Sequence, residues 1–592
     1  MTEFEEHTVA SNDVSLRVIA AGPADAPMIV FVHGYPDTSH VWRPVMAQLA
    51  DRFRVVAYDL RGMGGSTAPR LRRRGWRVEP LREDFAAVLR AMSPGRPVHV
   101  VAHDFGSIQT WAFLQHPDTA SLVATFTSIS GPPMHWVPAW ILRAARSPQR
   151  LRAALHQGRQ SWYTQFFRVP VMPELVMRVA WRPISLGMLI ESGVQEPSQA
   201  MDATRASDLC AGLELYRQTF ADAGRIVADP AFRTPTQVII PKADRYVTPP
   251  LFEDLHEHVP ELWRREVAGG HWLPVTRPAA LARWVTELIE QTDATREPPP
   301  PSRSFRRAAP RPDRLELGDQ LVVITGAARG IGRATAFAFA ELGAELVLAD
   351  RDKEGLDRTA ELALLAGAPG AHVFELDVSN GDEVEAFADN VAETLGVPDV
   401  VVNNAGVGAA GPFLATAPEE WDRVLGINLG GVAHGCRAFG RRMAERGEGG
   451  HIVNLASAAA FLPSRATPVY GTSKAAVLAL SENLRAELAA DGIGVSAICP
   501  GVVNTKIIDD TVFSGEADPA AKTAAMVAFY QRRAFPPEKV ADAILDAVRH
   551  NRAVVPVTPE ARVAHWASRY TPRTLRKIAQ FDPTDAIARL RK

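Results

Sequence analysis

Two α/β units in tandem are the fold class this sequence predicts, and three observations predict it. Short apolar runs alternate with helical patterns before residue 295 and again, more regularly, after residue 320. A span rich in proline and arginine, without periodicity, separates the two series. Each series also carries a glycine-bearing turn directly after a strong strand, at Val101-Ala102-His103-Asp104-Phe105-Gly106 and at Thr325-Gly326-Ala327-Ala328-Arg329-Gly330-Ile331-Gly332. With 592 residues the chain exceeds one comfortable core.

The first series contains Met28 to Val32, Val55 to Tyr58, Val98 to Val101 and Gln237 to Ile240, all short enough and apolar enough for buried strands. From about 132 to 231 the strand rhythm stops, and a stretch rich in Trp, Met and Arg reads as an inserted helical cap. The proline run 298–301, followed by Pro310 and Pro312, reads as an extended linker because proline lacks the donor a helix or central strand needs. Beyond it come Leu321 to Ile324, a helical run from Ala334 to Leu342, then Glu345 to Ala349, Val400 to Val402 and His451 to Asn454. That is the order of a parallel sheet with helices on both faces. The predicted organisation is a first domain over 1–294, a linker over 295–317, a dinucleotide-binding domain over 318–560 and a basic tail over 561–592.

Composition narrows the function. A net charge of -2 gives no general case for nucleic-acid partners. Cys210, Cys436 and Cys499 lie far apart and form no metal motif, which suits reduced thiols in a cytoplasmic compartment. The acidic start lacks a signal-peptide pattern, and no apolar run reaches the length of a spanning helix. The tail interleaves Trp566, Tyr570 and Phe581 with Arg569, Arg573 and Lys577, so peripheral contact with the inner face of the cell membrane stays open beside packing on its own domain.

In the first unit, Asp104 sits where a sharp strand-to-helix turn holds a side chain up at the sheet edge. A carboxylate there is already anionic and can displace a leaving group at saturated carbon, forming an alkyl ester. His271, in Gly269-Gly270-His271-Trp272, suits the base that activates water against that ester, and Asp244 suits the group that orients it. The backbone N–H groups of Tyr35 and Phe105 suit the oxyanion site. Together with His33-Gly34-Tyr35-Pro36, these residues resemble the epoxide hydrolase branch of the α/β-hydrolase family. The resemblance implies that two cap tyrosines donate to the epoxide oxygen, here Tyr163 and Tyr216, and that the aromatic cap takes an apolar substrate. A haloalkane dehalogenase would use the same ester but needs a halide donor after the nucleophile, where this chain has Phe105.

In the second unit, Gly326, Gly330 and Gly332 permit a tight turn that brings backbone and a helix N-terminus to a pyrophosphate. Asp350 ends the second strand, where a carboxylate binds a ribose diol and repels a 2'-phosphate. NAD is therefore favoured, with Arg351 keeping NADP open. Tyr470 and Lys474 share a helix face, Tyr470 as a general acid/base beside an ammonium, and Ser457 can polarise a carbonyl or alcohol. These features resemble the short-chain dehydrogenase/reductase family. The resemblance adds Arg329, Ile331, Asp377, Val378, Asn404, Ala405, Gly406, Pro500, Gly501 and Thr505 at the cofactor, Asn428 in a proton relay, and a homo-oligomer formed through this domain.

The two halves together resemble the fused epoxide hydrolase–short-chain dehydrogenase proteins of actinobacteria (EphD type). That resemblance implies a lipid substrate, with oxygenated mycolic acids as one setting. A hydrolase joined to an unrelated dehydrogenase, or a ligand-binding scaffold with one or both sites inactive, is the competing expectation. No metal is expected.

Overall fold

Asp104 and the glycine-rich turn both lie where a parallel sheet reverses its strand order. In a computed structural model the first sheet runs β1-β2-β4-β3-β5-β6-β7-β8. Its strands are β1 (Glu5–Ser11), β2 (Val14–Ala21), β3 (Met28–Val32), β4 (Arg54–Tyr58), β5 (Val98–His103), β6 (Val123–Ile129), β7 (Thr236–Pro241) and β8 (Leu262–Val267). The described residues are 2–70, 74–191, 206–222, 226, 232–293, 295, 297–311, 314–516 and 518–579. Contacts divide the chain into two units, 1–310 and 311–592. The N-terminal unit has an α/β-hydrolase fold and the C-terminal unit a Rossmann fold.

In the first sheet β1 and β2 pair antiparallel, β2 pairs antiparallel with β4, and every later pairing is parallel. The chain runs outward from β3 to β4 and returns to β5 on the other side of β3, which opens a crevice at the C-terminal ends of β3 and β5. β1 and the first half of β2 alternate polar with apolar residues at one edge of the sheet. β6 is rich in Thr and Ser yet buried, its Ser128 hydroxyl bonded to Trp111 Nε1 at 3.0 Å and to Gly131 O at 3.0 Å.

Between β6 and β7 lie the helices Val137–Ala144, Pro148–Gln160, Trp162–Arg168, Met172–Glu191 and Ala206–Asp222. The remaining residues of the expected cap, 192–205, 223–225 and 227–231, lie outside the described residues. The span read as extended linker holds a helix, Arg303–Ala308. Ser302 accepts the Phe305 N–H at 3.1 Å, and the buried Phe305 ring lies 5.2 Å from Trp263. The prolines flank this helix, so their missing donors do not interrupt it.

The second sheet is β11-β10-β9-β12-β14-β15-β17, parallel throughout. Its strands are β9 (Leu321–Thr325), β10 (Glu345–Asp350), β11 (Ala371–Glu375), β12 (Val400–Asn403), β14 (Gly450–Leu455), β15 (Ile493–Cys499) and β17 (Val554–Pro556); β13 (Ala409–Ala410) and β16 (Val512–Phe513) form a separate pair. Alternation divides the strands between two cores: Val322, Ile324 and Leu348 face one, Leu321, Val323 and Val347 the other. The order reverses between β9 and β12, which sets Gly326 beside Asn404 and Ala405. The predicted tail begins as two helices, Pro559–Tyr570 and Pro572–Ile578; residues 580–592, including Phe581, lie outside the described residues. Among the described residues no helix is long and apolar enough to cross a membrane.

Candidate active sites

Asp104 follows β5 with φ 49° and ψ −121°, a conformation that a non-glycine residue keeps only where its surroundings enforce it. Gly106 is part of that enforcement, because a Cβ there would stand 2.4 Å from His33 O. The carboxylate is held asymmetrically. Tyr35 N–H donates to Oδ2 at 2.9 Å, and Phe105 N–H also donates to the carboxylate. Oδ1 faces His271 Nε2 at 3.7 Å, beyond hydrogen-bond range.

His271 Nδ1 donates to Asp244 Oδ2 at 2.9 Å, while Asp244 Oδ1 accepts the N–H groups of Tyr246 at 2.8 Å and Val247 at 3.0 Å. Asp244 thereby fixes the ring and leaves Nε2 for chemistry. Burial pulls the imidazole down, but Asp244, with Asp104 and Asp37, outweighs it and holds His271 up to about 9. Burial pushes Asp104 up, against the neighbouring imidazolium and the Tyr35 and Phe105 N–H groups. Burial opposes the Asp244 charge as well, yet His271 and the two backbone donors keep its carboxyl below the usual range.

A raised histidine binds its proton more tightly folded than unfolded. Its stabilisation is complete below the unfolded value of about 6.5 and is lost as pH rises through about 9. The full contribution is about 3 kcal/mol. In urea denaturation of wild type and His271→Gln, the stability difference should therefore shrink as pH rises from neutral to beyond 9. A difference that stays flat across that range would refute the imidazolium assignment.

Tyr163 and Tyr216 line a cavity of about 460 Å³ with Asp104, His271, Phe166 and Phe167. Their rings lie 6.1 Å apart at 77°, and their hydroxyls share a hydrogen bond. Burial, reinforced by the Asp104 charge, raises both phenols far above an ordinary tyrosine, so both remain donors at neutral pH.

In the second unit a cavity of about 550 Å³ opens at the C-terminal ends of β9, β10 and β12. Gly326, Arg329, Gly330, Ile331, Asp350, Asp377, Val378, Asn404, Ala405, Gly406, Tyr470, Lys474, Pro500 and Thr505 all line it. Gly332 and Gly501 do not line it; Gly501 packs against Thr558 and Glu560 instead. A Cβ at Gly332 would stand 2.1 Å from Gly326 O, so only glycine lets the following helix approach the turn. Asn404 Nδ2 ties the same turn, donating to Thr325 O and Gly326 O at 3.0 Å each. Asp350 accepts N–H groups of Ala328 at 3.1 Å and Arg351 at 2.7 Å, which fixes its carboxylate at the rim. Arg351 is turned to Asp377 at 3.8 Å. Cavity size, the glycine turn and a rim carboxylate together fit a dinucleotide.

Asn428 lies in a π-helical turn, Gly426–Gly430, and its Nδ2 donates to Ser473 Oγ at 3.1 Å and Val407 O at 3.0 Å. Lys474 Nζ donates to Leu455 O at 2.7 Å and stands 5.9 Å from the Tyr470 ring centre. The protein's own groups do not by themselves lower the Tyr470 phenol. Burial pushes Tyr470 up, opposed by the Ser457 hydroxyl, and burial brings Lys474 down to about 8. Lys474, itself pulled down by burial and bonded to the Leu455 carbonyl, is not among the groups that shift Tyr470.

Two family models match the chain: "short chain dehydrogenase" over 320–512 and "alpha/beta hydrolase fold" over 27–278. A "Probable oxidoreductase EphD" of Mycobacterium bovis is 40% identical over 580 residues, covering 96% of this chain and 97% of that relative. The chain belongs to the EphD family of fused α/β-hydrolase–short-chain dehydrogenase proteins. The same identity and coverage hold for the "Probable oxidoreductase EphD" of Mycobacterium tuberculosis. The dehydrogenase unit alone is similar to a "D-threitol dehydrogenase" of Mycolicibacterium smegmatis, 41% identical over 33% of this chain and 74% of that one. Among solved structures, a short-chain dehydrogenase/reductase from Burkholderia phymatum in complex with NAD is 36% identical over 43% of this chain and 95% of its own, with a TM-score of 0.39.

Three residues of this EphD-family site escaped the sequence reading. Asp37 is half-buried within the field of His271, takes the Trp272 indole N–H at 3.1 Å, and is pushed up to about 7 by desolvation. It directly follows the His33–Pro36 turn, the one signal that pointed to it. Tyr246 packs its ring 4.9 Å from His271, and Gln157 of the cap accepts Thr248 N–H at 2.9 Å while donating to Tyr246 O at 2.8 Å. Neither had a motif to mark it. His103, the residue before the elbow, supports the same loop, with its Nε2 2.9 Å from His271 O.

Proposed function

We propose that the chain hydrolyses an apolar epoxide to a vicinal diol at Asp104 and interconverts an alcohol and a carbonyl at Tyr470, using a nicotinamide dinucleotide. The observation that carries the first half is the asymmetric hold on Asp104: Oδ2 tied by Tyr35 N–H, Oδ1 free and facing His271, and two phenols in the same cavity.

Oδ1 attacks an epoxide carbon and the ring C–O bond breaks. The alkoxide takes a proton from Tyr163 or Tyr216, and the imidazolium of His271 restores that phenol. Neutral His271 then removes a proton from water, and the hydroxide attacks Cγ of the alkyl-Asp104 ester. Negative charge forms on Oδ2, where the Tyr35 N–H already points, with the Phe105 N–H also on this carboxylate. Collapse breaks the ester bond, the leaving oxygen takes the remaining hydroxide proton, and His271 ends protonated as it began. Forming the ester removes the Asp104 charge, one of the causes that hold His271 up, so the ring becomes a base when one is needed.

In the second unit, the dinucleotide when bound supplies the hydride acceptor or donor. Tyr470 moves the proton at the substrate oxygen, Ser457 orients that oxygen, and Lys474 is fixed by Leu455 O beneath the cavity. Asp350 at the rim favours NAD over NADP. The apolar first cavity supports a lipid epoxide, and the diol it yields is chemically a fit substrate for the second site; oxygenated mycolic acids are one lipid class that meets both needs. No nucleic acid is expected as partner, and the dehydrogenase unit is expected to self-associate.

The test incubates long-chain epoxides with wild type, Tyr163→Phe and Tyr216→Phe, with and without NAD or NADP. Each single variant should slow ring opening about ten- to a hundredfold, and the double variant more. Wild-type rates in both single variants would remove the phenols from the mechanism. Diol that persists unchanged with either cofactor would rule out the sequential route.

A further inference from the structure

The cap carries more exposed apolar surface than its own packing explains, and it carries it beside the cavity. Trp162 lines the cavity yet is 65% exposed, so it stands at the mouth. The chain leaving its helix exposes Val169, Val171 and Met172, and the next helix adds Leu175 and Val179. Met172, Leu175 and Val179 repeat at helical spacing, which makes one apolar stripe along Met172–Glu191. Val179 is 78% exposed. Stripes of this kind are rare on a surface that meets only water.

The stripe is presented by a built junction. Val171 is β-branched, has φ 72° and is 72% exposed, a combination the chain does not adopt without restraint. Arg217 supplies the restraint, donating to Phe167 O at 2.9 Å, Val169 O at 2.7 Å and Glu174 Oε2 at 3.0 Å.

Charge selects the partner. Residues 137–191 hold eight arginines against two acids, Glu174 and Glu191, in a chain whose net charge is -2. Arg143 and Arg150 pair with Asp254. Arg152, Arg159, Arg168 and Arg178 are exposed and have no carboxylate partner among the described residues. Apolar side chains flanked by unpaired cations match a bilayer with anionic headgroups.

We propose that the outer face of the cap, centred on the junction from Trp162 to Val179, docks on an anionic lipid bilayer, so that an apolar epoxide enters the Asp104 cavity from the membrane. The entry route rests on the epoxide hydrolase reading; the docking does not. The full chain would be tested by flotation with vesicles of phosphatidylcholine alone and of equal parts phosphatidylcholine and phosphatidylglycerol. Two double variants, Leu175→Asp/Val179→Asp and Arg168→Glu/Arg178→Glu, touch neither the cavity nor the Arg217 bonds. A water-soluble epoxide checks that both are folded, and Trp566→Ala controls for the C-terminal helix.

Wild type should float with the phosphatidylglycerol vesicles and much less with phosphatidylcholine, and salt should weaken it. Each double variant should lower partition about tenfold or more while opening the soluble epoxide at the wild-type rate. Equal partition on both vesicles, equal partition of wild type and variants, or loss only in Trp566→Ala would overturn the proposal. So would self-association that the variants abolish without any vesicle binding, which would make a second copy the occupant. Vesicle binding by a wild type that opens no epoxide, soluble or bilayer-borne, would retain the docking and defeat the hydrolase reading instead.

Discussion

Replacing Asp104 by Asn should cut diol formation by about four orders of magnitude or more, because no other group in the cavity can attack the ring and form the ester. The amide keeps the shape of the elbow, and its carbonyl oxygen can still accept Tyr35 N–H. Folding and dehydrogenase activity should therefore be unchanged, which separates loss of chemistry from loss of structure. A sharper version uses a single turnover of wild type in ¹⁸O-water. The heavy oxygen should enter the Asp104 carboxylate and be absent from the first diol released, since the diol oxygen comes from Oδ1. Label found in the diol alone would mean that water attacks the ring directly, with Asp104 acting as a base.

Tyr470→Phe should slow the alcohol–carbonyl interconversion about a thousandfold, the ordinary worth of a positioned proton donor. Dinucleotide binding, read by quenching of protein fluorescence, should stay within a factor of about two, because on the proposed reading the glycine turn and Asp350, not Tyr470, supply most of the hold on the cofactor. Ring opening at Asp104 should be untouched. Burial raises Tyr470 when only protein groups are counted, so the wild-type rate of alcohol oxidation, where Tyr470 is the base, should rise with pH until the phenol titrates in the loaded enzyme. A rate that is flat from neutral to alkaline pH in wild type would separate Tyr470 from the proton step.

The two sites were legible in the sequence to different degrees. The dehydrogenase signature is local: Gly326 to Gly332 on one turn and Tyr470 to Lys474 on one helix face bring their partners with them. In the hydrolase unit Asp104, Asp244 and His271 are far apart in the chain, and only the order of strand ends joined them. Strand β6 was missed because its Thr and Ser residues satisfy their hydroxyls in the core. The helix Arg303–Ala308 was missed because the surrounding prolines masked the Ser302 cap and the one aromatic that packs.

By itself the sequence determined that two α/β units share this chain, with a carboxylate on one elbow and a dinucleotide turn on the other, because turn geometry and strand periodicity are local properties. Only tertiary structure decided how each group is tuned. The hold of Tyr35 on one oxygen of Asp104, the charge of Asp37 in the field of His271, and the Leu455 carbonyl that takes the Lys474 ammonium all come from residues remote in sequence. Burial and field are sums over such neighbours, and spacing along a chain does not contain them.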